Sequence, residues 1–362
     1  MRQVLIIGGG VAGLSAAAHL APHTAVTLVE AEPNLGYHAS GRSAAAFIAD
    51  YGNATVRDLN RASLPHLQDI PNAMARRVMM MVAKTGEEAQ LAHEAPDLGM
   101  EPISLDTALG HFPILNPDVI TAAAARDDAY DIDTGQIMAH FERTARAAGA
   151  VIHTRAPVTA LRYDGQWQIT AGPHQITADV VVNAAGAWAD VLAQLAGVRP
   201  IGVQPYRRSM ARVAAPAGQN VHEWAFIDGV KEQFYAKPDA GALLVSPADE
   251  TPVAPHDAWA SDLVLAEGIA AYEAMVTAPV TRMLANWAGL RSFVPDRSLV
   301  IGPDPQAPGF VWLAGQGGYG FQTAFGAACL LRDLMLGHTP DLPAQTVQAL
   351  SPARLIPSAP FG

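Results

Sequence analysis

The chain has 362 residues, of which 50% are hydrophobic and 16% are charged, so it can bury a large core and form two domains. Its formal net charge of -11 argues against a nucleic-acid partner, because no basic patch along the chain offsets the general repulsion of phosphates. The single cysteine, Cys329, excludes an internal disulfide framework and a multi-cysteine metal site, and we predict no metal.

The same features bear on where the protein resides. No stretch reaches the roughly 20 apolar residues that span a bilayer. Residues 4–7 run directly into Gly8, as a buried strand does and a secretory signal does not. We therefore expect a cytoplasmic protein, while peripheral contact with a membrane and the oligomeric state stay open.

The first 30 residues have the pattern of a dinucleotide-binding unit. Apolar residues 4–7 predict a strand, residues 14–20 a helix and residues 26–29 a second strand. Gly8, Gly10 and Gly13 stand between strand and helix at the spacing that permits a tight turn, close approach of a pyrophosphate and close helix packing. Glu30 follows where a carboxylate accepts ribose hydroxyls. The motif alone fits FAD or NAD, and a merely structural turn is the alternative.

A loop rich in small residues follows at positions 36–45. It is too long for a minimal connection and poor in strand formers. Backbone amides and small hydroxyls suit a cofactor's pyrophosphate and ring system, and Arg42 could meet a phosphate charge. An ordinary surface loop is the alternative.

The middle of the chain alternates between two kinds of segment. Residues 78–82 predict a buried strand and residues 105–112 a short helix. Asp133 and Thr134 offer a cap for a helix over 136–148, and several strands follow within 151–182. A further glycine corner at 183–188 belongs beside the first motif.

The C-terminal half repeats this alternation. Residues 203–284 contain alternating runs that predict an antiparallel sheet. A strand over 310–314 then leads into the glycine-rich turn 315–323 and a helix to about 336. We predict a cofactor domain built from residues 1–70, 131–200 and 285–362, with a substrate domain built from 71–130 and 201–284.

At this point the chain resembles the D-amino-acid-oxidase-like flavoproteins, and within them most closely the bacterial D-arginine dehydrogenases. The resemblance covers nearly the whole chain and is carried by residues 8–13, 36–45, 183–188, 204–209, 234–241, 287–294 and 316–323. It implies an α/β fold in which a glutathione-reductase-like FAD-binding Rossmann domain carries an inserted α+β substrate domain on a mixed or antiparallel sheet. It also implies non-covalent FAD, and oxidation of a Cα–N bond to an imine that hydrolyses to a 2-oxo acid.

The resemblance implies roles for individual residues. The substrate carboxylate would be held by two arginines and two tyrosines, and two glycine-turn residues complete the predicted catalytic set: Tyr51, Arg208, Tyr235, Arg291, Gly318 and Gln322. A guanidinium fork binds a carboxylate with two parallel hydrogen bonds and so orients the Cα–H bond toward the flavin.

The predicted cofactor-binding residues come from all three segments of the cofactor domain. They are Gly8, Gly10, Val11, Ala12, Gly13, Glu30, Ala31, Ser40, Gly41, Arg42, Ser43, Ala44, Ala45, Val158, Ala185, Gly186, Trp188, Gly289, Gly317, Gly318, Tyr319, Gly320, Gln322 and Thr323. The helix expected to begin near Gly320 would aim its positive end at the flavin.

Four residues are predicted to set specificity, and three of them, Ile48, Met79 and Asp228, depart from the arginine-handling relatives. Met79 stands where those have glutamate, and a thioether cannot pair with a cation. Ile48 replaces threonine and makes the pocket more apolar, beside Phe226. Asp228 replaces an apolar residue; pointing inward it would restore cation binding, but we expect it to face solvent. The substrate is therefore predicted to be a D-amino acid with a neutral, hydrophobic side chain.

Other functions fit parts of the sequence. An N-methyl amino acid or a 2-hydroxy acid would satisfy the same arginines, and a flavoprotein without turnover is a second alternative. An NAD(P)-dependent dehydrogenase fits the opening motif but has no need of the C-terminal glycine turn. We expect an electron acceptor such as a quinone, although oxygen stays open. Cys329 lies inside a predicted packed helix and is not expected to bind flavin covalently.

Overall fold

The computed structural model describes residues 1–355, so positions 356–362 of the predicted last segment lie outside it. Its strands, numbered in chain order, are β1 Gln3–Ile7, β2 Ala25–Val29, β3 Ala46–Phe47, β4 Met74–Lys84, β5 Glu101–Ile103, β6 Ile120–Ile132, β7 Val151–His153, β8 Val158–Asp164, β9 Gln166–Ala171, β10 His174–Ala178, β11 Val180–Asn183, β12 Gln204–Ala214, β13 Phe226–Gly229, β14 Tyr235–Asp239, β15 Ala242–Ser246, β16 Thr251–Pro252, β17 Met283–Phe293, β18 Val300–Pro303 and β19 Phe310–Ala314.

The α-helices follow the same numbering. They are α1 Val11–Leu20, α2 Ala54–Gln68, α3 Glu88–Glu94, α4 Leu105–His111, α5 Thr134–Ala147, α6 Ala189–Leu195, α7 Asp262–Glu273, α8 Ala324–Leu336 and α9 Ala344–Leu350. The predicted cap of α5 is confirmed, because the Asp133 carboxylate accepts a hydrogen bond of 2.9 Å from the Gln136 amide.

Within the described residues, one sheet has the strand order β18-β19-β11-β1-β2-β7. Its pairings are parallel except for β18 with β19. Val4 and Ile6 pack with α1 and α8, whereas Leu5 and Ile7 pack with Trp167 on the small sheet β8–β10. Strand β1 is therefore covered on both faces, which explains its unbroken apolar run.

A second, larger sheet has the order β16-β12-β15-β14-β13-β4-β6-β3, with β17 paired to β12 and β5 paired to β6. In the described part of the chain β13 and β4 run parallel, and the other pairings are antiparallel. Alternate residues of β4 face opposite sides: Met80 and Val82 pack with α4 and α7, while Met79 and Met81 pack on the other side. The predicted mixed α/β architecture is confirmed.

Several predicted boundaries differ from the structure. The boundary at 130/131 falls inside β6, which runs from Ile120 to Ile132. The boundary at 284/285 falls inside β17, which pairs with β12 from Met283 to Phe293 and so belongs to the large sheet. Helix α8 begins at Ala324 rather than near Gly320. The intervening turn is closed by Thr323, whose hydroxyl donates a 2.8 Å hydrogen bond to the carbonyl oxygen of Tyr319.

The helices of residues 1–355 include none that is both long and apolar enough to cross a membrane. In the same part of the chain, His, Cys, Asp and Glu side chains form no group that could hold a metal ion.

His19 of α1 is a half-buried titratable group among the helices that pack on the parallel sheet. Its ring stands 5.5 Å from the ring of Phe325, and its Nδ1 is 2.8 Å from the carbonyl oxygen of Ser15. Burial lowers the pKa of His19, and Arg332, His66 and His140 lower it further; together these effects outweigh the hydrogen bond to Ser15, which raises that pKa. The neutral ring is therefore the form that fits the fold.

This predicts a pH dependence of stability. Below the ordinary histidine pKa of about 6.5 the unfolded chain takes up a proton at His19 that the folded chain resists, so stability falls as pH falls from 7.5 to 5.5. Urea unfolding at both pH values should show a smaller difference for His19→Gln than for the unmodified protein. His23→Gln, at an exposed position, should keep the original difference; an equal loss of pH dependence in both variants would contradict the assignment.

Candidate functional site

One cavity of about 810 Å³ runs from Glu30 at the carboxyl ends of the parallel strands to Arg208 on the large sheet. A cavity of this size is typical of cofactor and ligand sites. Its position outside the carboxyl ends of β1, β2 and β11 is where open α/β sheets bind nucleotides.

The glycine turn after β1 brings three backbone segments into close contact. Gly8 has φ +114, and a Cβ there would stand 2.3 Å from the carbonyl oxygen of Ala184. A Cβ on Gly13 would stand 1.8 Å from the carbonyl oxygen of Gly8. The first turn of α1 can therefore lie against the strand ends, where its amides present a site for a pyrophosphate.

Glu30 ends β2 at the cavity with a fixed carboxylate. Its Oε2 accepts a 2.6 Å hydrogen bond from the Gly9 amide, and its Oε1 accepts a 2.8 Å bond from the Glu32 amide. Each carboxylate oxygen has a further lone pair, so Glu30 can still accept hydrogen bonds from ribose hydroxyls.

The loop of residues 36–45 lies along the cavity and is held from two sides. The Ser40 hydroxyl accepts a 3.0 Å hydrogen bond from the Val11 amide. Lys237 donates from Nζ to the carbonyl oxygens of Ala44 and Ala45, at 3.1 and 3.0 Å. Ala45 has φ +58, an uncommon conformation for a residue with a side chain, so Lys237 stabilises a strained turn at the cavity wall.

Arg42 makes contacts that the sequence did not predict. Its Nη1 donates to the carbonyl oxygens of Ala258 and Ala288, at 2.7 and 3.1 Å, and its Nη2 lies 2.5 Å from the Asp257 carboxylate. The guanidinium charge is thus paired with Asp257, and Arg42 ties the loop to residues 257–258 and to β17.

The C-terminal glycine turn forms the wall on the other side. Gly317 has φ +50, and a Cβ there would stand 2.1 Å from the ring of Phe293. The Gln322 side chain is 3% exposed and accepts a 3.3 Å hydrogen bond from the Ile48 amide through Oε1. Its Nε2, like the Ser292 hydroxyl, has no partner among the described residues. Buried donors without partners on a cavity wall fit a cofactor that carries carbonyl oxygens.

Most of the predicted cofactor residues lie on the cavity wall. They are Gly8, Gly10, Val11, Ala12, Glu30, Ala31, Ser40, Arg42, Ser43, Ala44, Ala45, Val158, Ala185, Gly186, Trp188, Gly289, Gly317, Gly318, Gly320 and Gln322.

Four predicted cofactor residues lie behind the wall. Gly13 packs on Gly8, and Gly41 donates a 2.7 Å hydrogen bond to the carbonyl oxygen of Gly36. Tyr319 packs against Phe293 and Tyr51, with ring centroids 5.8 and 5.2 Å away, and Thr323 closes the turn before α8. These residues shape the cavity through backbone geometry and packing.

The two predicted arginines lie on adjacent strands at the far end of the cavity. Arg291 of β17 pairs with Tyr206 of β12, two residues from Arg208. Both arginine side chains therefore stand on one face of the sheet, because alternate residues of a strand share a face. The Arg291 Nη2 donates a 2.5 Å hydrogen bond to the Tyr51 hydroxyl. A Cβ on Gly318 would stand 1.7 Å from that nitrogen, so the position of Arg291 requires glycine there.

The two predicted tyrosines complete this end. The Tyr235 hydroxyl lies 3.4 Å from the Met210 sulfur, and the Arg208 guanidinium carbon is 5.9 Å from the Tyr235 ring centroid. Burial raises the pKa of Tyr235, so its hydroxyl remains a hydrogen-bond donor. Together Tyr51, Arg208, Tyr235 and Arg291 present two cations and two hydroxyls to one part of the cavity, which suits an anion.

A third arginine and one acid stand next to these arginines. The Glu250 carboxylate contacts Arg208, Arg291 and Arg297. Burial would raise the pKa of Glu250, but the hydrogen bond from Arg297 and the three nearby positive charges outweigh it and lower that pKa. Glu250 is therefore ionised beside the arginine pair.

The predicted specificity residues lie together on the cavity wall. Ile48, Met79 and Phe226 form an apolar surface with Met81. Asp228 also lines the cavity, and its Oδ1 is buried without a partner in the described part of the chain. The expectation that Asp228 faces solvent was wrong, because β13 pairs with β4 in the register that places Asp228 opposite Met81.

Burial raises the pKa of Asp228 well above its ordinary value. The neighbouring Glu232 and Glu94 raise it further, and these effects outweigh the opposing charge of Arg208. The protonated, uncharged acid is therefore favoured.

Several residues on the cavity wall were missed by sequence reasoning. Glu94, Asp97, Lys231 and Glu232 line the same cavity as Asp228, although they lie on separate segments without a motif. The turn that carries two of them docks on the end of α3, where the Lys231 amide donates a 2.9 Å hydrogen bond to Glu94. His38 was also missed; its ring lies 4.6 Å from that of Trp188.

Cys329 is half-buried within α8 and is absent from the cavity wall. Burial raises the pKa of its thiol, which disfavours the reactive thiolate.

The parallel sheet carries a glycine turn, an acid placed where ribose hydroxyls could be accepted, and a second glycine turn across the same cavity. This arrangement is that of the dinucleotide-binding flavoprotein oxidoreductases. Residues 3–334 match the family described as DAO, FAD dependent oxidoreductase, and the chain belongs to that family. FAD is accordingly its cofactor.

Individual relatives are distant. Human mitochondrial dimethylglycine dehydrogenase is 24% identical over 249 residues, which cover 63% of this chain and 29% of that protein's length. Glycine oxidase from Geobacillus kaustophilus has a similar structure, with a TM-score of 0.83, 22% identity, and coverage of 99% of this chain and 100% of that one. The FAD-bound L-alpha-glycerophosphate oxidase from Mycoplasma pneumoniae has a TM-score of 0.82 and 19% identity, covering 95% and 96% of the two chains.

Because Arg291 packs directly on Gly318, adding a methyl group at position 318 should reduce activity. Gly318→Ala should retain FAD but displace the guanidinium, and kcat/KM should fall roughly 100-fold, as misplaced binding groups commonly cause. Flavin content and steady-state kinetics measure the two effects. Gly110→Ala is a matched control, because a Cβ there meets nothing within 4 Å; equal losses in both variants would contradict a local role for Gly318.

Proposed function

We propose that this flavoprotein oxidises the Cα–N bond of a D-amino acid with a neutral, largely hydrophobic side chain, giving an imine that hydrolyses to a 2-oxo acid. The observation that carries the proposal is the set of Arg208, Arg291, Tyr51 and Tyr235 at the far end of the cofactor cavity. Two guanidinium groups beside two hydroxyls match a substrate carboxylate in charge and geometry.

Each group on the wall has a task in this reaction. Arg208 and Arg291 bind the carboxylate and Tyr235 donates a hydrogen bond to it, which fixes the direction of the Cα–H bond. FAD, when bound, supplies the acceptor for the hydride from Cα. Gln322 and Ser292 would hold the cofactor through their free donor groups. A substrate bound with a neutral amine needs no general base from the protein, because the nitrogen lone pair assists departure of the hydride.

The side-chain preference is supported by the rest of the wall. Ile48, Met79, Met81 and Phe226 offer an apolar surface, and an unpaired cation beside them would lose its hydration without compensation. Asp228 in its protonated form adds a neutral hydrogen-bonding group, so it does not overturn the preference for uncharged side chains.

The configuration of the substrate and the substitution of its nitrogen are inferred from similarity to other proteins. The D configuration is supported by the resemblance to D-arginine dehydrogenases. The sequence similarity to dimethylglycine dehydrogenase favours a second candidate, an N-methyl amino acid, whose carboxylate would use the same arginines. A 2-hydroxy acid is a further alternative with the same carboxylate.

An anaerobic screen tests the proposal. D-methionine, D-leucine and D-phenylalanine should bleach the flavin absorbance faster than their L enantiomers, sarcosine, dimethylglycine or 2-hydroxyglutarate. A quinone should then restore the oxidised spectrum faster than air. Faster bleaching by sarcosine would establish the second candidate, and no bleaching by any of these compounds would sink both.

Asp228 predicts a pH-dependent preference between side chains. As pH rises through its elevated pKa, Asp228 ionises, so the ratio of kcat/KM for D-lysine to that for D-methionine should increase between pH 6 and 9. The Asp228→Asn variant keeps the shape without the titration and should give a flat ratio. Asp118→Asn, at an exposed position, should behave like the unmodified enzyme; a rising ratio in Asp228→Asn would assign the effect to another group.

A further inference from the structure

Glu250 stands behind the two arginines proposed to bind the substrate carboxylate. Its Oε1 lies 3.3 Å from the Arg208 Nη2 and 3.3 Å from the Arg291 Nη1. Both arginines line the cavity, whereas Glu250 does not, and its side chain is 30% exposed. The Glu250 carboxylate thus contacts one guanidinium nitrogen of each arginine, from a position outside the cavity.

The position of Glu250 is fixed by neighbours that do not line the cavity. The Arg297 Nη2 donates to both Glu250 oxygens, at 2.9 and 3.2 Å. The Arg297 guanidinium carbon lies 3.7 Å from the centroid of the Phe293 ring. On the other side, the Arg208 Nε donates a 2.9 Å hydrogen bond to the backbone carbonyl of Asp249. Glu250 is therefore held in place whether or not a ligand is bound.

Positive charges outnumber negative charges around Glu250. Arg208 is 7% exposed, and Arg291 stands beside it, so two poorly hydrated cations face one part of the cavity. Charges in such a setting interact several times more strongly than in water. Glu250 contacts both arginines, Arg297 pairs with Glu250, and the Glu232 Oε2 stands 3.7 Å from the Arg208 Nη2. These three arginines and two carboxylates carry about one net positive charge, which a single carboxylate neutralises.

We infer that Glu250 is a built-in counter-anion that weakens the binding of carboxylates by Arg208 and Arg291. It acts through the two arginines and is therefore a positioning residue. The inference rests on the proposed function in one respect, the use of these arginines for a carboxylate. Substrate and 2-oxo acid product share that carboxylate, so Glu250 lowers the affinity for both and speeds release of the product.

Two roles of Glu250 predict changes of opposite sign. As a counter-anion, its removal tightens carboxylate binding; as a simple support for the arginines, its removal loosens binding. Glu250→Gln separates them, because the amide oxygen can still accept from both arginines while the charge is lost. We expect the Kd of benzoate for the FAD-loaded enzyme to fall about tenfold, the effect of one charge at this range in a partly buried site.

The experiment follows the flavin absorbance during titration with benzoate and with the uncharged benzamide. Glu250→Gln should bind benzoate more tightly and benzamide with unchanged affinity. Arg297→Gln frees Glu250 from its third partner, so benzoate binding should weaken several-fold. In the double variant the Arg297→Gln effect should disappear, because Arg297 acts through Glu250. Glu223→Gln, at a fully solvated position, should match the unmodified enzyme.

Unchanged or weaker benzoate binding by Glu250→Gln, with normal flavin content and unfolding midpoint, would overturn the inference. If that variant fails to fold, an unchanged or tighter benzoate Kd in Arg297→Gln would overturn it instead. In turnover, Glu250→Gln should lower KM and the inhibition constant of the 2-oxo acid together. The titration needs no turnover, so failure of every amino acid to bleach the flavin would sink the proposed function while leaving this result readable.

Discussion

The antiparallel pairing of β12 with β17 is the constraint on which the rest of the site depends. This pairing sets Arg208 and Arg291 on one face of the sheet. Strand β17 also places Gly289 next to the Arg42 side chain, and the carbonyl oxygen of Ser292 accepts a hydrogen bond from the Gly317 amide. One strand therefore fixes the spacing between the anion-binding residues and both cofactor loops. Because β17 then leads into β18 of the parallel sheet, the two sheets are joined by continuous backbone beside the cavity.

Local sequence patterns predicted the cofactor side of this arrangement well. The order of β1, α1 and β2 follows from an apolar run, three glycines and a second run, all within 30 residues. Two of these glycines, Gly8 and Gly13, are required by a nearby backbone carbonyl. Met79 likewise lies on the cavity wall by simple alternation along β4, since every second residue of a strand faces the same side. Such features depend on residues that are close in sequence and on the absence of a Cβ atom in glycine.

Features that depend on distant segments were not predictable in the same way. The inward position of Asp228 is set by the register of β13 on β4, which joins residues about 150 positions apart along the chain. The pairing of Arg42 with Asp257 was not foreseen, because the two residues lie 215 positions apart along the chain. The contact of Glu250 with three arginines combines two sheet strands and a turn. The hydrophobic periodicity of the sequence does not predict such contacts, because each contact forms only in the complete fold.

The thioethers on the cavity wall have a consequence for the choice of oxidant. Met79, Met81 and Met210 all line the cavity that would hold the flavin ring and substrate. Hydrogen peroxide converts methionine to a polar, chiral sulfoxide, which disrupts an apolar surface. If the reduced flavin passed its electrons to oxygen, hydrogen peroxide would form inside this cavity. Repeated turnover would then oxidise the methionines and change the shape of the pocket. A carrier that takes electrons without forming peroxide leaves that surface intact.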